Sequence, residues 1–167
     1  MPIVYKTGSL FDAPKGSVLV HACNAQGIWG SGIAKQFHER FPESYEQYRV
    51  ICSLPDFQVG QAFVLNIENE YRVGCLVTSS NYGQLRDPKE EILKNTRLAL
   101  LDILGATNKL SCFIVEGQEI HSCKFNAGLF GVPWEETEKI LLDVMQEVGY
   151  NNTWTVWSPN QGDTNAR

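Results

Sequence analysis

The stretch VLVHACNAQGIWGSGIAKQFHER, from Val18 to Arg40, restricts the fold more than any other part of the chain. Its apolar run, Val18-Leu19-Val20, reads as a buried strand that delivers His21, Cys23 and Asn24 to its tip. Gly27, Gly30 and Gly32 follow within six positions, and helical character opens at Ile33. A strand, a glycine turn and a helix start make an anion cradle. Backbone N–H groups approach without a Cβ in the way, and the helix N-terminus carries partial positive charge. The segment points to a phosphorylated, nucleotide-like ligand. It is not a standard nucleotide loop. The chain has no G-x-x-x-x-G-K-[ST], and its glycine spacing is G-x-x-G-x-G rather than G-x-G-x-x-G.

A chain of 167 residues, 43% hydrophobic and 20% charged, suits one globular domain with a substantial core. The balance of 14 basic against 19 acidic residues, net -5, argues against general nucleic-acid binding, which needs a basic stripe. A small local positive site for one pyrophosphate remains compatible with it. Five cysteines, Cys23, Cys52, Cys75, Cys112 and Cys123, form an odd set without CxxC spacing. That pattern predicts reduced thiols, an intracellular (cytoplasmic) location and no zinc site. Cys75, inside a strand-like run, reads as core. With no signal peptide and no apolar run near 20 residues, the expectation is neither secretion nor a membrane span.

The remaining pattern alternates strands and helices. Strands are expected over 3–6, 18–22, 61–67, 71–78, 111–115, 120–125 and 153–157. Glu68-Asn69-Glu70 would turn the third into the fourth as a hairpin. Helices are expected over 33–40, 44–52 with Ser44 as N-cap, 89–104 after Asp87-Pro88, and 133–147. Residues 158–167 read as a polar tail. This alternation predicts an α/β sandwich around a central sheet, with ligands beyond the strand ends. Polar clusters at 8–10, 21–34, 78–87 and 126–131 would form one pocket if they met at one sheet edge.

Four segments in order, TGSLFD, VLVHACNAQGIWGSGIA, LVTSSNYG and FNAGLFGVPW, carry a resemblance to the macrodomain family of ADP-ribose-binding proteins, covering Ile3 to Trp157. The chain is most similar to its fungal-type ADP-ribose 1″-phosphate phosphatases, which are small single macrodomains. The resemblance implies a three-layer α/β/α fold with a mixed central sheet, a domain over 1–157, and ADP-ribose across the top of the sheet. Gly8, Ser9 and Leu10 would lie near the adenosine. Trp29, Gly30, Ser31, Gly32, Ile33 and Ala34 would cradle the pyrophosphate. Asn24, with Ala22 and Cys23 beside it, would hold the distal ribose. Asn126, Ala127, Gly128, Leu129, Phe130 and Gly131 would form a second phosphate loop. Deribosylating macrodomains carry Asn where His21 stands and Asp at the place of Ala34, or a lysine and an aspartate where this chain has Ser79 or Ser80 and Phe130. These departures favour phosphatase chemistry or plain binding over removal of ADP-ribose from a modified substrate.

Hydrolysis of a phosphate monoester needs a positioned water, charge neutralisation at phosphorus and an acid for the leaving oxygen. His21 is the candidate for activating water or stabilising charge, against hydrogen bonding to a neighbouring loop. Asp87 is the candidate for positioning water, against capping the following helix. Ser79 and Ser80 would donate to ligand oxygens. His121 has a choice between the Asn126 loop and solvent, and His38 reads as an exposed helix position. Phe130 would stack on a ribose or anchor its loop. Trp29 would cover the phosphates or pack down as an anchor, whereas Trp134 reads as core. Cys23, without a neighbouring cation in sequence, reads as structural. No carboxylate cluster suggests a metal, so metal-independent action without a cofactor, by a monomer, is expected. A deribosylase or a non-catalytic ADP-ribose binder is the alternative.

Overall fold

The computed structural model describes residues 2–107, 113–114 and 117–160. Six strands form one sheet: β1 (Ile3–Thr7), β2 (Val18–Asn24), β3 (Ala62–Val64), β4 (Arg72–Ser79), β5 (Ile120–Ser122) and β6 (Trp154–Ser158). Their order across the sheet is β1-β6-β5-β2-β4-β3. All neighbours run parallel except the β3–β4 pair. Five strands therefore end on the same edge, where a parallel sheet presents its ligand site. Four helices are α1 (Gly32–Arg40), α2 (Pro42–Cys52), α3 (Lys89–Ile103) and α4 (Trp134–Val148).

Side-chain alternation along the strands sorts the core into two halves. Val18 and Val20 of β2, with Leu76 of β4, pack with Leu100, Ile103, Leu141 and Val144 of α3 and α4. Leu19 and Cys23, with Val73, Cys75 and Val77, pack with Phe37, Phe41, Tyr45 and Tyr48 of α1 and α2. The expected three-layer α/β/α sandwich is what forms. Strand pairing at the centre is tight. A Cβ on Gly74 would lie 2.9 Å from Val20 and 3.1 Å from Ile103. Among the described residues no helix is long and apolar enough to cross a membrane.

Several boundaries move for identifiable reasons. The hairpin expected at 61–78 exists, with Asn69 and Glu70 both at positive φ in its turn. β3 keeps only three paired residues. The expected strand at 120–125 also shortens to three. Most of the strand expected at 111–115 lies outside the described residues. Phe113 and Ile114 are described and fall in no regular element. Residues 161–167 of the expected tail, and Cys112, lie outside them too, and the C-terminal strand runs on to Ser158. Ser44 is not the cap of α2. That helix starts two residues earlier, at Pro42, and Ser44 is buried with its hydroxyl unpaired. The capping acceptor is Glu68 of the hairpin, whose carboxylate takes the N–H groups of Glu43 (3.1 Å) and Ser44 (2.8 Å). A long-range carboxylate at a helix N-terminus does the work of a local N-cap. Asp87 is not the cap of α3 either: Pro88 occupies that position.

Glu68→Ala is expected to cost about 1 kcal/mol, as loss of a helix cap does. Ser44→Ala is expected to be neutral or stabilising, because it removes an unpaired buried hydroxyl. Urea unfolding of both variants checks the pair. A costly Ser44→Ala would restore the local cap.

Candidate functional site

A cleft of ≈ 470 Å³ opens at the strand ends between two loops. The first loop leaves β2 and enters α1. A bulge between Cys23 and Asn24 shifts the register against β4 and turns the strand tip. Asn24 then holds the loop. Its Oδ1 accepts from Gln26 N (3.0 Å) and Ile28 N (3.3 Å), and its Nδ2 donates to Ile28 O (2.8 Å). The buried Tyr48 hydroxyl of α2 donates to the Asn24 carbonyl from below. Trp29 packs down onto the Tyr48 ring, with centroids 4.9 Å apart and planes 14° apart. It is an anchor with 1% of its surface exposed. Beyond it, Gly32 takes φ +59° at the first turn of α1. Ser31, the N-cap, makes no side-chain capping bond. The first N–H groups of the helix thus have no capping acceptor from Ser31, and Ser31, Ile33 and Ala34 face the cleft.

The second loop follows β5. Asn126 stands at its start in the left-handed region, φ +68°. Its Oδ1 accepts from Thr78 Oγ1 (2.9 Å), and its Nδ2 donates to Thr96 Oγ1 (2.8 Å). Its carbonyl accepts Val132 N (2.9 Å), closing the loop over 126–132. Gly128, Leu129 and Phe130 project to the cleft. Both asparagines therefore turn their amides inward to set backbone geometry.

The segment from Ser79 to Asp87 forms the third side. Asp87 Oδ2 accepts Ser80 N (2.8 Å), and Ser79 Oγ accepts Asp87 N (3.0 Å) while donating to Asn81 O (2.7 Å). Tyr82, Gly83, Gln84 and Arg86 present themselves to the cleft instead. Among the described residues Arg86 and Lys124 are the cations of the lining, and no Asp or Glu belongs to it. In a chain of net charge -5 this is a local reversal of sign.

Of the residues expected to bind, the cleft brings together Ala22, Cys23, Asn24, Trp29, Gly30, Ser31, Ile33, Ala34, Asn126, Gly128, Leu129 and Phe130. Gly32 at the start of α1, Ser79 at the end of β4, and Ser80 and Gly131 in the adjoining loops do not line it. Gly8, Ser9 and Leu10 stand apart from it. Ser9 caps a short 3-10 turn by accepting Phe11 N, and Leu10 is core. Gly8 approaches Trp157, where a Cβ would lie 3.3 Å from the ring. Trp157, Ser158 and Pro159, with Ala127, wall a second hollow of ≈ 370 Å³ that shares Cys123, Lys124 and Gly128 with the cleft.

His21 is corrected most sharply. It has no exposed surface, stacks on Phe37 at 3.9 Å and 6°, and does not line the cleft. The strand alternation that points Ala22 toward one helical layer points His21 toward the other. Cys23 is buried beside it. Burial raises its pKa, but the Cys75 thiol and the His21 ring stabilise its anion and hold it below the ordinary thiol range. Cys75 itself is held well above by burial and by Cys23. Cys123 is pushed up to about 12 by burial. His121, thought to face solvent or the Asn126 loop, is buried and accepts the Trp157 indole N–H at Nδ1 (2.9 Å). The residues missed in the sequence are Ile28, Tyr82, Gly83, Gln84, Arg86, Cys123, Lys124 and Phe125. Arg86, directly before Asp87, and Lys124, directly before the FNAGLFG segment, were the legible signals.

The Macro domain family model matches residues 20–141. The ADP-ribose 1″-phosphate phosphatase of Aspergillus clavatus is 34% identical over 194 aligned residues, covering 93% of this chain and 93% of that protein. Among solved structures, the macrodomain of Mycobacterium tuberculosis DarG superposes with TM-score 0.73 at 22% identity, covering 95% of this chain and 98% of that one. A Trypanosoma brucei macrodomain in complex with ADP-ribose superposes with TM-score 0.62 at 18% identity, covering 98% of this chain and 66% of that one.

Asn126→Ala is expected to cost roughly 2–4 kcal/mol, from two buried hydrogen bonds and a left-handed backbone. Asn126→Gly, which relieves the backbone alone, is expected to cost less. Urea unfolding ranks the two. His121 supplies a pH test. Burial lowers its pKa, with Glu119 opposing, so the unfolded chain takes up the proton first as pH falls. Its contribution to stability is whole above the unfolded value and drains as pH drops through it. Between about pH 7.5 and about pH 5.5, His121→Gln is expected to lose less stability than the parent chain.

Proposed function

The chain belongs to the macrodomain family, and we propose that it hydrolyses ADP-ribose 1″-phosphate to ADP-ribose and inorganic phosphate. The observation that carries this reading is the cleft lining: glycine loops, a helix N-terminus, Arg86 and Lys124, with no carboxylate among the described residues, in an acidic protein. Such a lining favours a multiply charged anion. The name of the Aspergillus clavatus relative supplies the substrate class.

In this reading the adenosine occupies the hollow beside Trp157, near Gly8, Ser9 and Leu10. The pyrophosphate meets the backbone of Gly30 to Ala34 and of Gly128 to Phe130. The second N–H of the Asn24 amide, left over after its bond to Ile28 O, reaches the distal ribose. The terminal phosphate lies toward Arg86. A water oxygen attacks phosphorus, the bond from phosphorus to the ribose oxygen breaks, and the proton the water gives up is passed to that leaving oxygen. Phosphoryl transfer of this kind depends mainly on positioning and charge stabilisation. Arg86 and the α1 N-terminus stabilise the phosphoryl oxygens. Asp87, which does not line the cleft, acts as a positioning residue: its Oδ2 accepts Ser80 N and its own N–H donates to Ser79 Oγ, which fixes the segment that presents Arg86. His21 serves from beneath, by packing against Trp29 (4.8 Å between ring centroids) rather than by touching water.

Phosphate release from ADP-ribose 1″-phosphate tests the reading. Turnover by the parent chain is expected, with Arg86→Ala lowering kcat/KM at least about tenfold, or ~1.4 kcal/mol. Asp87→Ala, which releases Ser80 N and the segment that presents Arg86, is expected to lower kcat/KM by roughly tenfold to 10²-fold. Tight ADP-ribose binding without phosphate release would replace the phosphatase with a binder. Release of ADP-ribose from a modified protein would replace it with a deribosylase.

A further inference from the structure

Beneath Trp29 lies a group of side chains whose sulfur and ring-nitrogen atoms the proposed reaction leaves unused. β2 turns His21 and Cys23, two residues apart, to one face, and β4 sets Cys75 opposite His21 in the register. One donor atom from each lies within 4.8 Å of the other two. Cys23 Sγ is 3.5 Å from His21 Nε2 and 3.8 Å from Nδ1. Among the described residues neither ring nitrogen has another hydrogen-bond partner, although the imidazole has no exposed surface. The Trp29 indole N–H, whose ring meets His21 edge-on, is buried without a hydrogen bond of normal geometry and lies beside the Cys23 thiol, whose anion it favours. Polar groups so placed are costly in an apolar core unless something pairs them.

Two sulfurs and an imidazole are the donors that soft cations select, and no oxygen ligand for a hard cation stands among them. Bonds of roughly 2.3 Å to sulfur and roughly 2.0–2.1 Å to nitrogen put such donors about 3.5 Å apart on a shared zinc ion. The Cys23–His21 separation already matches. We infer that His21, Cys23 and Cys75 form a buried site for one thiophilic d10 cation, zinc(II) or copper(I), linking β2 to β4 under the cleft floor. Zinc with two thiolates, or copper(I) with one thiolate and one retained thiol, leaves the site neutral, as burial requires. Each cysteine that binds as a thiolate releases its proton to solvent, two for zinc and one for copper(I). The Phe37 ring, stacked on His21, holds the imidazole plane. The ion braces the loop carrying Trp29 and Gly30 and takes no part in hydrolysis, so this inference and the phosphatase reading fail separately.

The reduced, metal-free protein is titrated with Zn²⁺, and in a second arm with Cu⁺, each against a chromophoric competitor. The expected result is uptake of a single ion in one arm, with a thiolate-to-metal charge-transfer band. X-ray absorption of the loaded protein is expected to count sulfur and nitrogen neighbours from Cys23, Cys75 and His21. Cys75→Ser is expected to weaken uptake at least about tenfold, whereas Cys52→Ser, outside the cluster, leaves it unchanged. Uptake in neither arm overturns the inference, as does tight uptake that survives Cys75→Ser. Should Cys75→Ser fail to fold, the ligand count on the parent chain decides, and a shell without sulfur overturns it.

Discussion

β2 is clamped between β4 and β5, and both of its faces are covered by helices. The rest of the molecule depends on that clamp. A strand so placed has no freedom to slip, because a one-residue shift would exchange Val18 and Val20 with Leu19 and His21 between the two core halves. The bulge at Cys23 and Asn24 is the one irregularity, and it falls where the chain must leave the sheet. From there the loop direction, the start of α1 and the mouth of the cleft are determined.

The two loops of the cleft share a physical logic. Each begins with a buried asparagine whose amide is spent on local geometry: Asn24 within its own loop, Asn126 on Thr78 and Thr96. Side chains hold the loops from inside, so the groups left to meet a ligand are largely backbone N–H donors. That arrangement suits phosphate, which accepts from several donors and carries charge that a helix N-terminus favours. Arg86 and Lys124 add full charges at the rim. Surface potential thus depends on placement: an acidic chain presents a cationic cleft because the carboxylates of the described residues stay out of its lining.

The layer beneath the cleft is equally specific. Trp29, Tyr48, Phe37 and His21 stack into one aromatic block against β2 and β4. Rigid, fully buried rings transmit any displacement of α1 or α2 to the glycine loop above them, because close-packed interiors have little room to absorb it. Tyr48 joins this block to the loop directly through its hydroxyl on Asn24. No pattern in the sequence marked Tyr48, since a tyrosine on an amphipathic helix looks the same whether or not its hydroxyl meets a loop.

The sequence alone determined the elements whose causes are local. Apolar alternation made β2 and β4, glycines placed the turn before α1, and Asn69 with Glu70 turned the hairpin. The ordered motifs also sufficed to identify the family and most of the cleft-forming loops. Tertiary structure alone decided what depends on two distant segments meeting. Glu68 caps α2 across the hairpin where Ser44 was expected, and Asp87 ties its own loop where a helix cap was expected. His21 looked like a catalytic base because it sits beside Asn24 in the chain. Strand alternation instead sends it to the opposite side, toward Cys75 fifty-odd positions away. Spacing along the chain records which face a side chain takes, but not what waits on that face, because the partner is delivered by a different strand or helix.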